Sequence, residues 1–384
     1  MTTAMLPKAF PFQSSLETIR AHHWRHFMDV YAGCEFNCQY CLYRAAPNYG
    51  AHVRASPTDT SGLIPRGIVD IGAATDPYQP IEKRELRTRH LLETLLEHRT
   101  PVFVLTRGTL VTRDRDILAR MAEQGLVEVC FSLITLDEEI TRVLEPGAPP
   151  PVDRLSAAKT LSSDGIPVSF HVAPLIPGLD SPAGLEDLAQ AAFEAGARHI
   201  FTAVLGARQS YWDAFVSLLE SIQDRIDSWD TFRAAYPPSL SFSGDAADTC
   251  DIEHAVPVFQ PIRSVAIGRG ATFISENYPA YTTGALTGGI YRWKLPTVYD
   301  MGEWIRNQGK PVDFASFVDS YYRAFDPPDA LLEVVESLWT DGSLFVGAML
   351  KPRTVDGQAG FEAASEYPST FSKTTLVTKR KALQ

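Results

Sequence analysis

Short apolar runs rich in β-branched residues alternate with amphipathic stretches between about residue 28 and residue 235 of this chain. Six runs are typical of strands: 28–33, 67–72, 101–106, 127–134, 166–173 and 199–205. The stretches between them are typical of helices: 82–98, 113–124, 152–164 and 183–195, the last followed by Gly196 as a helix stop. Near-continuous apolar strands separated by helices form parallel sheets that helices cover. The pattern predicts an α/β fold, a partial (β/α)6 TIM-like barrel open on one side.

The alternation fades near Tyr236, and this divides the chain. We predict an N-terminal extension over 1–27, a barrel over 28–236 and a C-terminal region over 237–384. The last region has no clear strand–helix repeat but contains a dense aromatic stretch from Tyr278 to Trp304. Large apolar patches are rarely left exposed to solvent. We therefore expect this region to cap the open side of the barrel and contact a substrate, or to form a second small core on the outer helices.

Composition limits what the chain can bind. Its 384 residues include 35 Lys and Arg against 46 Asp and Glu, a net charge of −11. Binding to a nucleic-acid duplex needs a basic face, so this balance argues against a nucleic-acid partner. The sequence has no run of about 18 apolar residues that would span a bilayer, and its first residues lack the apolar core of a signal peptide. We expect a soluble, cytoplasmic protein with no membrane partner.

Three of the five cysteines follow the first predicted strand directly, as Cys34, Cys38 and Cys41. Three thiolates on one short loop can hold three corners of a four-iron cubane and leave the fourth iron for a small molecule. A zinc site is an alternative, but it needs a fourth ligand. Nearby histidines offer one: His22, His23, His26 and His52. Buried structural thiols are the other alternative.

The spacing Cys-x3-Cys-x2-Cys, with Tyr40 before the last cysteine, resembles the cluster motif of the radical S-adenosylmethionine (SAM) superfamily. Further segments resemble the branch related to spore photoproduct lyase: 75–82, 105–107, 110–114, 132–137, 144–146 and 173–178. The resemblance covers roughly residues 28–206. It implies a [4Fe-4S] cluster on the three cysteines, an open iron that chelates SAM, and an electron donor such as flavodoxin or ferredoxin. It also implies cleavage of SAM to a 5′-deoxyadenosyl radical that abstracts a substrate hydrogen.

Reactive groups in such folds lie on loops at the carboxyl ends of the strands, and the resemblance points to the same places. After the second strand, Gly72, Ala73 and Thr75 are expected to approach the methionine amino group, with a plain turn as the alternative. Thr106 and Arg107 end the third strand. The Arg107 guanidinium suits the methionine carboxylate through two parallel bonds, with a surface salt bridge as the alternative.

Later strands carry the remaining cofactor candidates. The family places a polar contact to the ribose where Ser132 stands. The resemblance further implies that Tyr40 and Ala203 line the adenine, and that Pro174 belongs to the same cofactor site.

Three residues are candidates for the substrate side. His171 suits a substrate contact, although a hydrogen-bonded core histidine fits its position equally well. Tyr78 lies in a polar cluster on a strand-end loop. Cys130 shares a strand face with Ser132, because side chains alternate along a strand. It is therefore a candidate for returning a hydrogen atom, with a small core cysteine as the alternative.

The sequence departs from spore photoproduct lyases at the second strand, where these enzymes carry a hydrogen-returning cysteine and residues 67–72 contain none. Apart from the cluster, only Cys130 and Cys250 remain, too few for a second all-cysteine cubane. We therefore predict a radical SAM enzyme that acts on a small organic substrate, as a lyase, isomerase or oxidoreductase. The alternatives are a nucleic-acid repair or modification enzyme and, in another class, a non-catalytic metal-binding protein.

Overall fold

The computed structural model describes residues 25–45, 53–55, 68–240, 242, 249–275, 304–305, 308–325, 332, 336, 339–340 and 350–363. Nearly all of the predicted N-terminal extension lies outside the described residues. So does the aromatic stretch from Tyr278 to Tyr299, together with His22, His23 and His52.

The described residues form the strands β1 (Arg25–Met28), β2 (Tyr31–Ala32), β3 (Arg54–Ala55), β4 (Ile68–Ile71), β5 (Val102–Thr106), β6 (Val127–Ser132), β7 (Val168–Leu175), β8 (His199–Val204), β9 (Thr272–Ser275), β10 (Val312–Asp313), β11 (Leu350–Val355) and β12 (Gln358–Ala363). Seven of these strands form one parallel sheet in the order β1–β4–β5–β6–β7–β8–β9. The predicted α/β class is confirmed, and the sheet has one strand more than the six predicted.

The α-helices with described bounds are α1 (Glu82–Glu85), α2 (Arg87–Glu97), α3 (Arg115–Glu123), α4 (Glu138–Leu144), α5 (Pro151–Ser163), α6 (Pro182–Glu194), α7 (Trp212–Glu220), α8 (Trp229–Ala235), α9 (Ile252–Gly268) and α10 (Phe314–Ser320). The single helix predicted over 82–98 is two helices, because Leu86 adopts a left-handed conformation with φ of 54°. In the described part of the chain, no helix is both long and apolar enough to cross a membrane.

The seventh strand lies beyond position 236, where the predicted barrel ends. β9 pairs with β8 from His199 and Thr272 to Thr202 and Ser275. The helix before it, α9, contains Pro257 and Pro261, and proline ordinarily breaks a helix interior. This hides the strand–helix repeat in the sequence. The parallel sheet therefore extends past the predicted boundary.

The first predicted strand, 28–33, is two separate strands. β1 joins the parallel sheet beside β4, whereas β2 pairs with β3 in an antiparallel pair. Between them Asp29 is buried, and its carboxylate accepts hydrogen bonds from the backbone of Ala74 and Thr75. The predicted strand is interrupted here because the Asp29 side chain binds the loop after β4 instead of continuing the strand.

The two faces of the parallel sheet are covered by different partners, as alternation of side chains along a strand requires. Outward residues such as Val104, Val129 and Phe170 belong to the core beneath the helices. Inward residues form a second apolar cluster: Ile68, Phe103, Cys130, Phe201 and Ile274. The C-terminal region completes that cluster with Ile305, Val312, Phe317, Val318, Tyr322, Trp339 and Phe361. The C-terminal region thus packs on the inner face of the sheet.

Candidate cofactor site

The three clustered cysteines lie on the loop that follows β2. Cys34 and Cys38 are buried, and Cys41 is partly buried. Burial, together with the neighbouring charge of Asp76, raises the pKa of the Cys34 thiol to about 12. Burial likewise raises the pKa of Cys38. Buried thiolates need a compensating positive charge, which bound iron would supply.

The three donors are thiols on one loop, the donor type that an iron–sulfur cubane binds. Among the described residues, no three His, Cys, Asp or Glu side chains are grouped as a single metal ion would need. A cubane binds each thiolate to a different iron, so its three sulfurs need not converge on one point.

The loop from Cys34 to Cys41, which we call the cluster loop, is fixed to the last residue of α4 and to the turn that follows it. Gln39 N donates to Leu144 O at 2.8 Å, and Gly147 N donates to Phe36 O at 3.1 Å. A Cβ atom at Gly147 would lie 2.2 Å from the carbonyl oxygen of Glu35, so this close approach requires glycine.

A second anchor of the cluster loop comes from the polar segment after β4. The side chain of Gln79 is fully buried. Its Nε2 donates to Gly33 O at 3.1 Å, and its Oε1 accepts from Glu35 N at 2.8 Å. The cluster loop is therefore held from two sides by residues distant in sequence.

Asp76 connects this segment to the end of β5. Its Oδ1 accepts from the Thr106 hydroxyl at 2.6 Å and from Tyr78 N at 2.9 Å. Its Oδ2 accepts from Arg107 N at 2.7 Å. Burial raises the pKa of Asp76 despite these bonds. The Thr106 hydroxyl thus donates its hydrogen bond within the protein. This favours a role for Thr106 in holding the loop after β4, rather than in direct contact with a ligand.

Arg107 takes part in a largely buried ion network. Its Nε donates to Glu145 Oε1 at 2.9 Å, and its Nη2 donates to the Tyr40 hydroxyl at 3.2 Å. Tyr40 donates in turn to Glu145, which also pairs with Arg154. Burial would raise the pKa of Glu145, but the Arg154 and Arg107 guanidiniums hold it below its usual range. Arg107 forms a salt bridge, but with a fully buried carboxylate rather than at the surface.

The segment after β4 is shaped by Gly72 and Asp29. Gly72 has φ of 98°, and a Cβ there would lie 2.2 Å from Leu105 O on the adjacent strand. Beyond it, Ala74 N and Thr75 N each donate to the Asp29 carboxylate at 3.2 Å. Burial raises the pKa of Asp29 to about 7, and these two backbone donors oppose the shift.

On the inner face, Ser132 of β6 and His171 of β7 are register partners. The His171 ring stacks on Phe201, with centroids 4.1 Å apart. Burial, reinforced by the charge of Arg107, lowers the pKa of His171 to about 3. Within the described residues, neither Ser132 Oγ nor His171 Nε2 has a hydrogen-bond partner, although both atoms are buried. Buried polar atoms are nearly always paired, so these two atoms are candidates for contact with a bound ligand.

The other predicted residues lie in different surroundings. Cys130 is fully buried in the inner apolar cluster. Pro174 and Ala203 are partly buried near the ends of β7 and β8. The Tyr78 hydroxyl donates to Asp114 at 3.1 Å, and its ring packs in the core beneath the helices. This arrangement favours a structural role for Tyr78.

Two residues with evident roles in the site, Asp29 and Glu145, were missed from the sequence. Glu145 lies in the 144–146 segment, whose resemblance to known relatives was the only signal available. Asp29 stands in a run that is typical of a strand, so no local pattern separated it from that strand.

Residues 28–192 match the family model of the Radical SAM superfamily. This segment is similar to the radical SAM domain. An uncharacterised protein of Mycobacterium tuberculosis is 31% identical over 192 residues, which cover 45% of this chain and 56% of that protein. A radical SAM Nα-GlyT isomerase of Pseudomonas phage M6 is 26% identical over 209 residues, 50% of this chain and 42% of that protein. The chain spans about half the length of these curated relatives.

The fold of the chain also resembles solved structures. A spore photoproduct lyase variant superposes with a TM-score of 0.50 at 15% identity, covering 70% of this chain and 80% of that one. At this level of identity the likeness is one of fold. It agrees with the open parallel sheet described above.

Proposed function

We propose that this protein is a radical SAM enzyme that abstracts a hydrogen atom from a small organic substrate. The observation that carries the proposal is the cluster loop, with three cysteines anchored from two sides within a segment similar to the radical SAM domain. When bound, a [4Fe-4S] cluster and SAM supply a 5′-deoxyadenosyl radical after one-electron reduction. We propose flavodoxin or ferredoxin as the electron donor.

Charges near the cluster loop suit the amino-acid end of SAM. Arg107 and Arg154 share the single carboxylate of Glu145, which leaves one positive charge for a carboxylate ligand. Asp29 is buried, with its pKa raised to about 7, so an adjacent ammonium group would stabilise its charged form. We propose that Arg107 binds the methionine carboxylate and that Asp29, held by Ala74 and Thr75, faces the amino group.

The remaining cofactor contacts are proposed from position. Ser132 Oγ suits the ribose, while Tyr40, Pro174 and Ala203 suit the adenosyl group. Gly72, Ala73, Thr75 and Thr106 would shape the pocket through their backbone and internal bonds.

The substrate side is largely apolar. His171 is neutral at physiological pH because its pKa is lowered to about 3. Its ring can therefore donate or accept a hydrogen bond without carrying a charge. On the inner face Phe201 stacks on His171, and Phe103 packs against Phe201. Packing of the C-terminal region on this face supports the exclusion of water from a reactive radical. These features favour a small, mostly uncharged substrate.

Cys130 is the proposed source of a returned hydrogen atom. It lies on the inner face, fully buried, two residues before Ser132 on the same strand. The same burial also agrees with the alternative, in which Cys130 is an apolar residue of the core.

A nucleic-acid substrate is the second candidate. The resemblance to spore photoproduct lyase favours it, but the net charge of −11 repels phosphate over long range. The phage relative named as an isomerase makes rearrangement one reaction class to test first.

The test is anaerobic reconstitution with iron and sulfide, followed by reduction and incubation with SAM. The native protein and Cys250→Ala, a buried cysteine outside the cluster loop, should both produce 5′-deoxyadenosine. Cys34→Ala should lose it. Equal production by Cys34→Ala, or none by the native protein, would overturn the proposal.

A further inference from the structure

The carboxylate of Glu145 joins residues from separate parts of the chain. Its Oε1 accepts from Arg107 Nε at 2.9 Å and from the Tyr40 hydroxyl, and its Oε2 pairs with Arg154. Arg107 Nη2 donates to the same Tyr40 hydroxyl at 3.2 Å, which closes a ring of contacts. Tyr40 stands between two cluster cysteines, so the ring ties Arg107 directly to the cluster loop.

The ring carries an excess positive charge. Guanidinium groups stay charged in proteins, so two of them against one carboxylate leave one positive charge. Arg154 is fully buried and donates to the carbonyls of Pro149 at 2.7 Å and Ser132 at 3.1 Å. Arg107 keeps 20% of its side chain exposed.

Because Arg154 is enclosed and bonded to carbonyls, the excess charge is accessible through Arg107. The Arg107 Cζ atom lies 5.9 Å from the centroid of the Tyr40 ring. This places the charge beside the loop that would hold the cluster.

We infer that Glu145 and Arg154 are positioning residues that hold Arg107, with a net positive charge, beside the cluster loop. In this role Arg154 raises the reduction potential of the cluster, Glu145 lowers it, and both residues orient Arg107 for an anionic ligand group. The inference rests on the proposed function, since it requires a bound cluster.

A purely structural role of Glu145 makes a different prediction from an electrostatic one. Under either role, removing one partner of a buried ion pair disturbs the packing around it. Only the electrostatic role requires shifts of opposite sign, because Glu145→Gln removes a negative charge and Arg154→Met removes a positive one.

The experiment is a redox titration of the reconstituted cluster without SAM, followed by electron paramagnetic resonance. Glu145→Gln should raise the potential, and Arg154→Met should lower it. We expect each to change the ratio of oxidised to reduced cluster about tenfold at a fixed potential, or about 59 mV for one electron. Arg142→Gln, which breaks an exposed pair with Glu139 on the same helix, is the matched control and should keep the native potential.

Shifts of the same sign in both variants, or no shift, would overturn the inference. If a core variant does not load iron, Arg107→Gln carries the same test at a partly exposed position: its potential must fall, and an unchanged potential contradicts us. Failure of the native protein to form a cluster would instead refute the proposed function, so the two failures are distinguishable.

Discussion

Ser132 and His171 stand opposite each other on adjacent parallel strands, each with a buried polar atom that has no hydrogen-bond partner in the described part of the chain. Leaving a buried polar group unpaired costs about 1–3 kcal/mol. Both atoms lie on the inner face, where we propose that SAM and substrate meet.

Replacement of Ser132 tests this interpretation. Ser132→Ala should leave the free energy of unfolding of the apo-protein unchanged or raise it by up to about 1 kcal/mol, because it removes an unpaired hydroxyl. The same variant should bind SAM more weakly, by up to about tenfold. Urea unfolding and equilibrium binding measure the two effects. Ser169→Ala is the matched control: its hydroxyl donates to Glu128, so it should destabilise the protein by about 1 kcal/mol.

His171 should contribute to the pH dependence of stability. Its pKa is about 3 in the folded chain and about 6.5 when unfolded, so the unfolded state binds the proton between these values. Stability is therefore lost as pH falls below about 6.5. At pH 5 the loss attributable to this histidine is about 1–2 kcal/mol.

The measurement compares urea unfolding at pH 7 and pH 5 for the native protein and His171→Phe. The variant should lose less stability. The difference isolates His171, because the other buried groups with shifted pKa values are present in both proteins: Asp29, Asp180 and His199. His98→Gln, at an exposed position, should behave like the native protein. An identical pH dependence in His171→Phe would contradict the prediction.

Binding of SAM should release protons near neutral pH. Burial raises the pKa of Asp29 to about 7, so at pH 7 the carboxyl is partly protonated, and an incoming ammonium group favours its ionised form. Calorimetry in two buffers of different ionisation enthalpy measures the released protons. Asp29→Asn should abolish the part of the proton release that comes from Asp29. Unchanged proton release in that variant would remove Asp29 from the SAM site.

The C-terminal region should unfold together with the barrel. Phe317 is fully buried in the inner apolar cluster that joins the two, and Phe317→Ala should lower the free energy of unfolding by about 3–5 kcal/mol. The transition, followed by urea titration with two spectroscopic probes, should remain single. Val152→Ala, with a half-exposed side chain, should change it by less than about 0.5 kcal/mol. A separate early transition would show that the region is an independent unit.

Local patterns predicted most of the sheet and the cluster loop, because strand alternation and cysteine spacing are visible over a few residues. β9 was missed because Pro257 and Pro261 disguise the helix before it. The role of Glu145 was invisible for a different reason. Its partners Tyr40 and Arg107 are 105 and 38 residues away in sequence, and only the fold brings them together.

Tyr78 illustrates the converse case. Its place on a polar strand-end loop predicted a catalytic role. A tyrosine on such a loop can, however, point either into the site or into the core beneath the helices. Here the carboxylate of Asp114, 36 residues further along the chain, accepts the hydrogen bond of the Tyr78 hydroxyl. The sequence holds no local sign of that choice.

The central claim is that Cys34, Cys38 and Cys41 hold a cluster whose open iron binds SAM. The most direct measurement is electron–nuclear double resonance on the reduced, reconstituted protein with SAM labelled at the amino nitrogen (¹⁵N) and the carboxylate oxygens (¹⁷O). Our account predicts hyperfine coupling of both labels to the cluster. A reduced cluster with bound SAM but no coupling from either label would contradict it.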